Sequence, residues 1–161
     1  MLEEQALEAV LHDRAGFSCG VPELDDYLHR LALQHTRKGV NSVHVLVDSE
    51  RPGAILGYYS LSAAQVDVTQ LSDQDRKKLP RYPVPCFRLG RLACCVDRRG
   101  TGLGKVLIGC ALDRCLRARQ QVAAFALLVD AKNAQAKRFY EHYGFTACAD
   151  SPMSLYLPLG R

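Results

Sequence analysis

The sequence predicts an α/β fold in which a mixed central sheet has an antiparallel N-terminal half and a βαβα C-terminal half, with helices on both faces. Three observations carry this prediction. A hairpin pattern occupies residues 42–63, an apolar run at 89–96 leads through glycines into a helical pattern at 103–116, and an entirely apolar segment follows at 122–129. A segment that is apolar on both sides is expected at the centre of a covered sheet.

The first half of the chain predicts one helix and one hairpin. Pro22 suits a first helical turn, and apolar side chains recur after it at helical spacing, so we expect a helix over residues 22–35. Strands are predicted at 42–47 and 54–63, because a turn-rich hexapeptide at 48–53 separates two runs of strand-forming residues.

The second half predicts alternating elements. Prolines punctuate the polar stretch 69–85, which indicates a short helix and an irregular loop. The pattern then predicts these elements: a strand at 86–96, a helix at 102–118, a strand at 122–129, a helix at 133–142 and a strand at 153–158. A chain of 161 residues can bury its own core, and we expect a single domain over residues 1–161.

Composition excludes several functional classes. The 48% hydrophobic and 24% charged residues are typical of a globular protein. The apolar runs are too short to cross a bilayer and the N-terminus is acidic, so we expect a cytoplasmic protein without membrane contact. The seven cysteines lack CxxC or Cys/His metal-ligand spacing, which predicts buried reduced thiols and no metal.

Basic residues are clustered, although the net charge is only +4. Such clusters favour a polyanionic partner, and a solvated surface is the alternative. The clusters are Arg30/Arg37/Lys38, Arg76/Lys77/Lys78/Arg81, Arg98/Arg99/Lys105 and Lys132/Lys137/Arg138.

The stretch Arg-Gly-Thr-Gly-Leu-Gly at 99–104 is the most informative part of the chain. A strand that turns through glycines into a helix presents unpaired amides at the positive end of the helix dipole, which favours a pyrophosphate. A Walker loop is excluded because only three residues separate Gly100 from Gly104. A dinucleotide fingerprint is disfavoured because Lys105 stands where its third glycine belongs, although Asp130 is placed to bind a ribose. The remaining alternative is a glycine turn that joins the strand to the helix and binds no ligand.

Three motifs in this order resemble the GNAT superfamily of acetyl-CoA-dependent N-acetyltransferases. They are Arg99-x-x-Gly102-x-Gly104 after a strand, Asn133 at the next helix start, and Phe-Tyr-Glu-His-Tyr-Gly-Phe at 139–145. Further stretches are similar to the GNAT-type toxins of bacterial toxin–antitoxin pairs, at 17–24, 57–61, 89–93 and 152–155. The resemblance therefore covers nearly the whole chain and implies the GNAT fold.

This resemblance implies an activity and its partners. The protein would use acetyl-CoA to acetylate the α-amine of aminoacyl-tRNA and so inhibit translation. A ribbon-helix-helix antitoxin would neutralise it, and the pair would bind operator DNA through the antitoxin. A homodimer is also implied.

The resemblance also implies a cofactor site. The pantetheine arm would pair with the backbone of a strand segment, namely Leu92, Ala93 and Cys94. The pyrophosphate and its surroundings would be held by the glycine loop, namely Arg99, Gly100, Thr101, Gly102, Leu103, Gly104 and Lys105, with Arg98 and Arg99 as candidates for the 3′-phosphate. Asn133 would cap its helix and reach the pantetheine arm. The family often has Val-Asp-Pro where this chain has Cys94-Cys95-Val96, which leaves the backbone contacts intact and lines the rim with thiols.

Acetyl transfer expels a thiolate, so the site needs an acid near the sulfur. Tyr140 lies seven residues after Asn133 on the same predicted helix and can donate a phenolic proton, since a pKa of about 10 keeps it protonated at neutral pH. Core packing is the alternative role for a helical tyrosine. Tyr143 shares much of the same helix face and is the competing candidate.

The sequence also favours one kind of acceptor. An α-amine with a pKa of about 8 is substantially neutral near pH 7.5, whereas a lysine amine with a pKa of about 10.4 is not and therefore needs a base. Residues 84–96, where such a base would face the thioester, contain no carboxylate. His44 on a predicted strand is a candidate base, and a half-buried structural histidine is the alternative. The missing base favours an α-amine.

Three classes of function stay open at this point. If tRNA carries the amine, its phosphates and acceptor end would contact Arg30, Arg37, Lys38, Arg76, Lys77, Lys78 and Arg91. An ordinary GNAT enzyme would instead acetylate a small-molecule amine or a protein N-terminus, and an acidic acceptor cleft would support it. A module that binds coenzyme A without chemistry is disfavoured by the presence of Tyr140.

Overall fold

The structure of the chain, a computed structural model, describes residues 1–160. The strands are β1 (Leu2–Ala6), β2 (Ser42–Asp48), β3 (Gly57–Val66), β4 (Val84–Cys94), β5 (Ala126–Asp130), β6 (Thr146–Ala147) and β7 (Ser154–Pro158). The helices are α1 (Pro22–Asp26), a π-helical turn (Tyr27–Leu31), α2 (Ala32–Arg37), α3 (Asp73–Arg76), α4 (Leu103–Ala118) and α5 (Ala134–His142). Two 3₁₀ turns cover Val68–Gln70 and Val96–Arg98.

The strands form one sheet in the order β1-β2-β3-β4-β5-β7-β6. β1, β2 and β3 are antiparallel to their neighbours in the first half, which confirms the predicted hairpin. β4 and β5 are parallel and are followed by helices α4 and α5, which confirms the predicted βαβα alternation. β5 lies between β4 and β7, as its apolar sequence predicts.

Several predicted boundaries are wrong for physical reasons. The strand predicted at 122–129 begins only at Ala126, because residues 121 and 122 donate back to the Ala118 carbonyl at the end of α4. β4 ends at Cys94 because Val96–Arg98 forms a 3₁₀ turn. β1 is not predicted from the sequence, since an edge strand with a mostly exposed Leu-Glu-Glu-Gln-Ala sequence shows no apolar alternation.

The described residues divide into two compact units, residues 1–62 with 90–112, and residues 63–89 with 113–160. The first unit has a core around Leu28, Val45 and Tyr58, each fully buried. The second has a core around Ala126, Leu128 and Tyr156. None of the seven cysteines forms a disulfide; Cys19, Cys86, Cys115 and Cys148 are buried and the other three are partly buried.

Gly57, at the start of β3, lies where a side chain has no room. A Cβ there would be 2.7 Å from Leu107 Cδ1 and 2.9 Å from the Ala93 carbonyl oxygen. We expect Gly57→Ala to lower the free energy of unfolding by about 1–3 kcal/mol, because the clash includes backbone. The measurement is urea denaturation followed by circular dichroism.

Gly109 provides the matched control, since a Cβ there meets nothing within 4 Å and the residue lies inside α4. Gly109→Ala should raise the free energy of unfolding by about 0.5–1 kcal/mol through helix propensity. Equal effects of the two substitutions would contradict the close approach of β3 to β4 and α4.

Candidate active site

The C-terminal part of β4 extends beyond its pairing with β5. The parallel register joins Cys86–Leu89 of β4 to Ala126–Val129, whereas β4 continues to Cys94. Leu92, Ala93 and Cys94 therefore follow the end of that register. Ala93 is buried and the other two are partly buried. This segment can offer backbone groups to an extended ligand in the manner of an added strand.

The Cys94 thiol is not suited to act as a nucleophile. Burial raises the pKa of Cys94 to about 11, with a smaller contribution from the neighbouring Cys95. The thiol is thus protonated at neutral pH, and the thiolate is the reactive form. The backbone of Cys94, rather than its thiol, is the candidate contact.

The loop between β4 and α4 contains two positions whose backbone conformation favours glycine. Gly100 and Gly102 have φ of 76° and 81°, in the left-handed region that disfavours other residues. A Cβ on either would meet nothing within 4 Å. The space beside both glycines is therefore open, and a ligand can approach their backbone.

The first turn of α4 has amides without partners. Thr101 N–H donates to the Arg98 carbonyl and Val106 N–H to the Gly102 carbonyl. The amides of Leu103, Gly104 and Lys105 donate to no acceptor in the described part of the chain. No acidic side chain occupies this turn. The positive end of the helix dipole and these donors favour an anion.

The Arg99 side chain has a structural role that the sequence analysis missed. Its Nη2 donates to the Cys19 carbonyl oxygen at 2.9 Å, which joins the glycine loop to the segment before α1. Gly20 has φ of 85°, and a Cβ on it would collide with the same guanidinium. Cys19 and Arg99 are 80 positions apart, so no local pattern could have indicated this contact.

Asn133 caps α5, as predicted. Its backbone is extended, with φ of −159° and ψ of 176°, and its side-chain oxygen accepts from the Ala136 amide at 2.8 Å. The side chain is exposed. Its Nδ2 donates to nothing in the described chain, so it is available to a ligand carbonyl.

Tyr140 on α5 is a buried phenol, only 8% exposed. Burial raises the pKa of Tyr140 to about 12, because the phenolate loses hydration. Its ring lies edge-on to Phe139 and Phe145 with centroid distances of 5.2 and 5.4 Å. No residue in the described part of the chain hydrogen-bonds its hydroxyl. Tyr140 is therefore a protonated donor throughout the physiological pH range.

The end of α5 fixes the Tyr140 ring. Gly144 has φ of 95°; its amide donates to the Glu141 carbonyl, and the Phe145 amide donates to the Tyr140 carbonyl. This is a Schellman turn, which places the residue after the glycine against the last turn of the helix. Tyr143 is partly exposed and packs on Phe139 and His142. The two candidate tyrosines thus differ in environment.

His44 has the surroundings of a structural histidine. It is 8% exposed and its ring stacks on Tyr59 at 5.4 Å with an interplanar angle of 17°. In the sheet it lies opposite Ala6 of β1 and Tyr59 of β3. The Tyr59 hydroxyl donates to Glu4. These contacts favour core packing over a role as base.

The candidate tRNA contacts of the first unit differ from one another. Arg30 is exposed and pairs with Asp26 one helical turn earlier at 3.3 Å. Arg37 and Lys38 are exposed at the end of α2. Arg91 is partly buried, with its Cζ 3.5 Å from the centroid of the Tyr27 ring.

The second unit holds a basic segment, residues 76–81, in which Arg76, Lys77, Lys78 and Arg81 are all exposed. Arg76 pairs with Asp73 at 2.7 Å. In the described part of the chain neither lysine forms an ion pair. The segment begins in α3 and so depends on the anchoring of that helix.

Buried Asp75 anchors α3. Its carboxylate accepts from the Tyr156 hydroxyl at 2.8 Å and from Ser72 Oγ at 3.1 Å, and the Ser72 amide donates to the same tyrosine oxygen. Gln70 and Asp150 exchange two further hydrogen bonds of 3.0 Å. The basic segment is consequently attached to β7 and the turn before it.

Within the described residues, no group of three or more His, Cys, Asp or Glu side chains is arranged to hold a metal ion. None of the helices described is long and apolar enough to cross a membrane.

The family profile described as "Acetyltransferase (GNAT) domain" matches residues 23–154. The chain belongs to the GNAT acetyltransferase family. This GNAT protein is therefore an acetyltransferase with acetyl-CoA as its acetyl donor, and the glycine loop and Tyr140 lie within the matched residues.

Known proteins similar to this GNAT chain include toxins. It is 34% identical over 145 residues to the "tRNA-acetylating toxin" of Mycobacterium tuberculosis, which covers 90% of this chain and 85% of the relative. The solved structure "AtaT complexed with acetyl-methionyl-tRNAfMet" superposes with a TM-score of 0.92 and 27% identity, covering 98% and 95% of the two chains. The "KacTA-DNA complex" gives a TM-score of 0.82 and 27% identity, covering 99% and 94%.

Proposed function

We propose that this GNAT enzyme transfers the acetyl group of acetyl-CoA to the α-amine of aminoacyl-tRNA and thereby inhibits translation. The observation that carries the proposal is the 34% identity, over 90% of the chain, to a toxin named for tRNA acetylation. The similarity to AtaT in its complex with an acetylated aminoacyl-tRNA supports the same substrate class. We also propose that the chain forms one GNAT domain, of which the family profile matches residues 23–154.

Acetyl-CoA would bind along β4 and at the start of α4. Leu92, Ala93 and Cys94 pair with the pantetheine arm through backbone groups, since they extend past the register with β5. The pyrophosphate sits on the amides at residues 100–105, where two left-handed glycines leave the backbone uncovered. Asn133 Nδ2 donates to the pantetheine arm while its oxygen caps α5.

The chemistry is addition and elimination at the thioester carbonyl. The neutral α-amine forms the new C–N bond, the C–S bond then breaks, and the amine proton leaves to solvent. Tyr140 donates its phenolic proton to the departing sulfur, a role supported by the pKa of about 12 that keeps this proton in place. An amine with a pKa of about 8 needs no carboxylate base, and residues 84–96 contain none.

Basic side chains would contact the tRNA phosphates. The candidates at exposed positions are Arg30, Arg37, Lys38, Arg76, Lys77 and Lys78. Exposed lysines without acidic partners have no competing ion pair to break when they meet a phosphate.

The double substitution Lys77→Glu and Lys78→Glu is expected to raise KM for charged tRNA by roughly tenfold or more and to lower the slope of log KM against log salt by about one to two. The reason is the loss of two phosphate contacts that release counterions. Initial rates at four salt concentrations measure both effects. The control is Arg51→Glu with Arg117→Glu, an equal charge change at exposed positions elsewhere. An unaltered slope in the lysine variant would contradict a polyanion site at the basic segment.

The partners follow from the same similarity. A ribbon-helix-helix antitoxin neutralises the enzyme and carries the pair to operator DNA, and the likeness to KacT in the KacTA–DNA complex supports this assembly. The enzyme acts as a homodimer in the cytoplasm, where charged tRNA is found.

The test is transfer of labelled acetyl from acetyl-CoA to a panel of charged tRNAs. We expect the label to appear in N-acetyl-aminoacyl-tRNA. Hydrolysis of the ester should then release the label as the acetylated amino acid. Transfer to polyamines, antibiotics or protein N-termini, with none to any charged tRNA, would instead identify the enzyme as a GNAT acetyltransferase of small amines or protein N-termini.

A further inference from the structure

Arg91 is a partly buried cation with no acidic partner. Its guanidinium lies over the Tyr27 ring, 3.5 Å from the centroid, and it forms no ion pair or hydrogen bond with the residues that the structure describes. Asp25, an acid near this cluster, already accepts from the Cys19 amide at 2.8 Å. The stack satisfies one face of the guanidinium and leaves its N–H donors available.

Tyr27 is held rigidly beneath this cation. Its ring is 2% exposed and lies nearly parallel to Tyr58, with an interplanar angle of 14° and centroids 6.5 Å apart. Its hydroxyl accepts from Asn41 Nδ2 at 2.9 Å and meets His35 Nδ1 at 3.1 Å. Both rings are thereby fixed before any ligand arrives.

The π-helical turn Tyr27–Leu31 places the tyrosine there. The Ala32 amide donates to the Tyr27 carbonyl, five residues back, so the helix is wider at this residue than an α-helix. π-helical turns of this kind occur frequently at functional sites. The Tyr58 hydroxyl donates to the Leu24 carbonyl of α1 at 2.7 Å and fastens the stack from the other side.

The Arg91 guanidinium is stacked on a ring, partly buried and not paired with a carboxylate of the described residues, so it is suited to bind an external anion. Its planar donors match a phosphate or carboxylate through two parallel hydrogen bonds, a geometry that lysine cannot supply. Arg91 directly precedes Leu92–Cys94, whereas the glycine loop follows that segment. An anion bound at Arg91 would therefore lie at one end of the segment Leu92–Cys94, and the pyrophosphate at the other end.

We propose that Arg91, positioned by Tyr27, binds a phosphodiester at the acceptor end of the tRNA. This inference rests on the proposed acetylation of charged tRNA and adds the subsite to it. Coenzyme A is a second source of phosphate, and its phosphates belong with the glycine loop. Arg91 is the binding residue, and Tyr27 is a positioning residue that acts through it.

The test compares KM for charged tRNA with KM for acetyl-CoA in Arg91→Gln, Arg91→Lys and Tyr27→Leu. Each should raise KM for charged tRNA by roughly tenfold and leave KM for acetyl-CoA within about twofold. Arg91→Gln should also lower the salt slope by about one, whereas Arg91→Lys keeps the charge and the slope. Tyr27→Phe keeps the ring but loses the hydroxyl contacts to Asn41 and His35, so its KM for charged tRNA should lie between the values of wild type and Tyr27→Leu. Arg117→Gln, at an exposed arginine paired with Asp113, is the matched control.

The outcomes distinguish a failure of the Arg91 subsite from a failure of the proposed function. If wild-type enzyme acetylates charged tRNA and both KM values stay unaltered in Arg91→Gln, the subsite is wrong and the proposed function stands. A rise in KM for acetyl-CoA alone would assign Arg91 to coenzyme A and overturn the tRNA subsite. Absence of transfer by the wild type to every charged tRNA would overturn both. If Tyr27→Leu is unfolded by circular dichroism, the Arg91→Lys result decides, because that variant keeps the charge and loses the planar stack.

Discussion

Tyr140→Phe is expected to lower kcat for acetyl transfer by roughly 10²- to 10³-fold, the usual contribution of a general acid. The substitution removes one hydroxyl and keeps the ring that packs on Phe139 and Phe145. The fold and the affinity for acetyl-CoA should therefore be unchanged. Single-turnover transfer to charged tRNA measures the rate, and calorimetry measures acetyl-CoA binding.

Tyr143→Phe is the matched control, because it removes the same hydroxyl three residues further along the same helix end. Its kcat should stay within about twofold of wild type, as expected for a partly exposed side chain with no role in the reaction. Equal losses in the two variants, or loss of acetyl-CoA binding in Tyr140→Phe, would contradict the assignment of Tyr140 as the acid.

The pH dependence adds an independent measurement. Because burial raises the pKa of Tyr140 to about 12, the acid is not lost on the alkaline side of an ordinary pH range. The rate should rise with pH as the α-amine loses its proton, and level off above a pKa of about 8. A decline between pH 8 and about 10 would show that a group with a lower pKa than this phenol supplies the proton.

Gly102→Ala is expected to raise KM for acetyl-CoA by roughly tenfold or more, equivalent to about 1.4 kcal/mol of lost binding. A Cβ at this position would project into open space, from which we propose that the pyrophosphate approaches the loop amides. The left-handed backbone, at φ of 81°, adds strain that alanine does not tolerate well. Isothermal titration with acetyl-CoA gives the affinity directly.

Gly39→Ala separates the two causes. Gly39 also has a left-handed φ, 74°, and open space around it, but it follows α2 and is not part of the candidate acetyl-CoA site. Both variants should lose about 1–2 kcal/mol of stability from backbone strain. Only Gly102→Ala should lose affinity for acetyl-CoA. A similar loss of affinity in Gly39→Ala would show that general destabilisation causes the effect.

The sequence predicts those parts of the site that depend on local chemistry. The cap at Asn133 follows from residue type and position at a helix start, and the structure confirms it. The glycine loop is predicted as a strand-to-helix turn that exposes backbone amides, and in the structure Gly100 and Gly102 adopt left-handed conformations there. The proposal that Tyr140 is the acid comes from family resemblance rather than from periodicity.

Contacts between distant parts of the chain could not be predicted in this way. The Arg99 contact to Cys19 and the Arg91 stack on Tyr27 join residues that are 80 and 64 positions apart. Neither side chain lies in a pattern that indicates its partner. The π-helical turn was also missed, because a helix of that kind keeps the apolar spacing from which a continuous helix was predicted. Strand β1 takes its place from pairing with β2 rather than from its own propensity.

The attachment of α3 through Asp75 and Tyr156 has a consequence for how the protein would bind nucleic acid. A loop that orders only on binding loses conformational entropy at that moment, and part of the electrostatic attraction is used to offset it. Here the backbone of α3 is already held within the chain, since a buried carboxylate, a tyrosine hydroxyl and a serine fix the helix that ends directly before Lys77 and Lys78. Less of the attraction between these lysines and a polyanion is therefore needed to order the backbone beneath them.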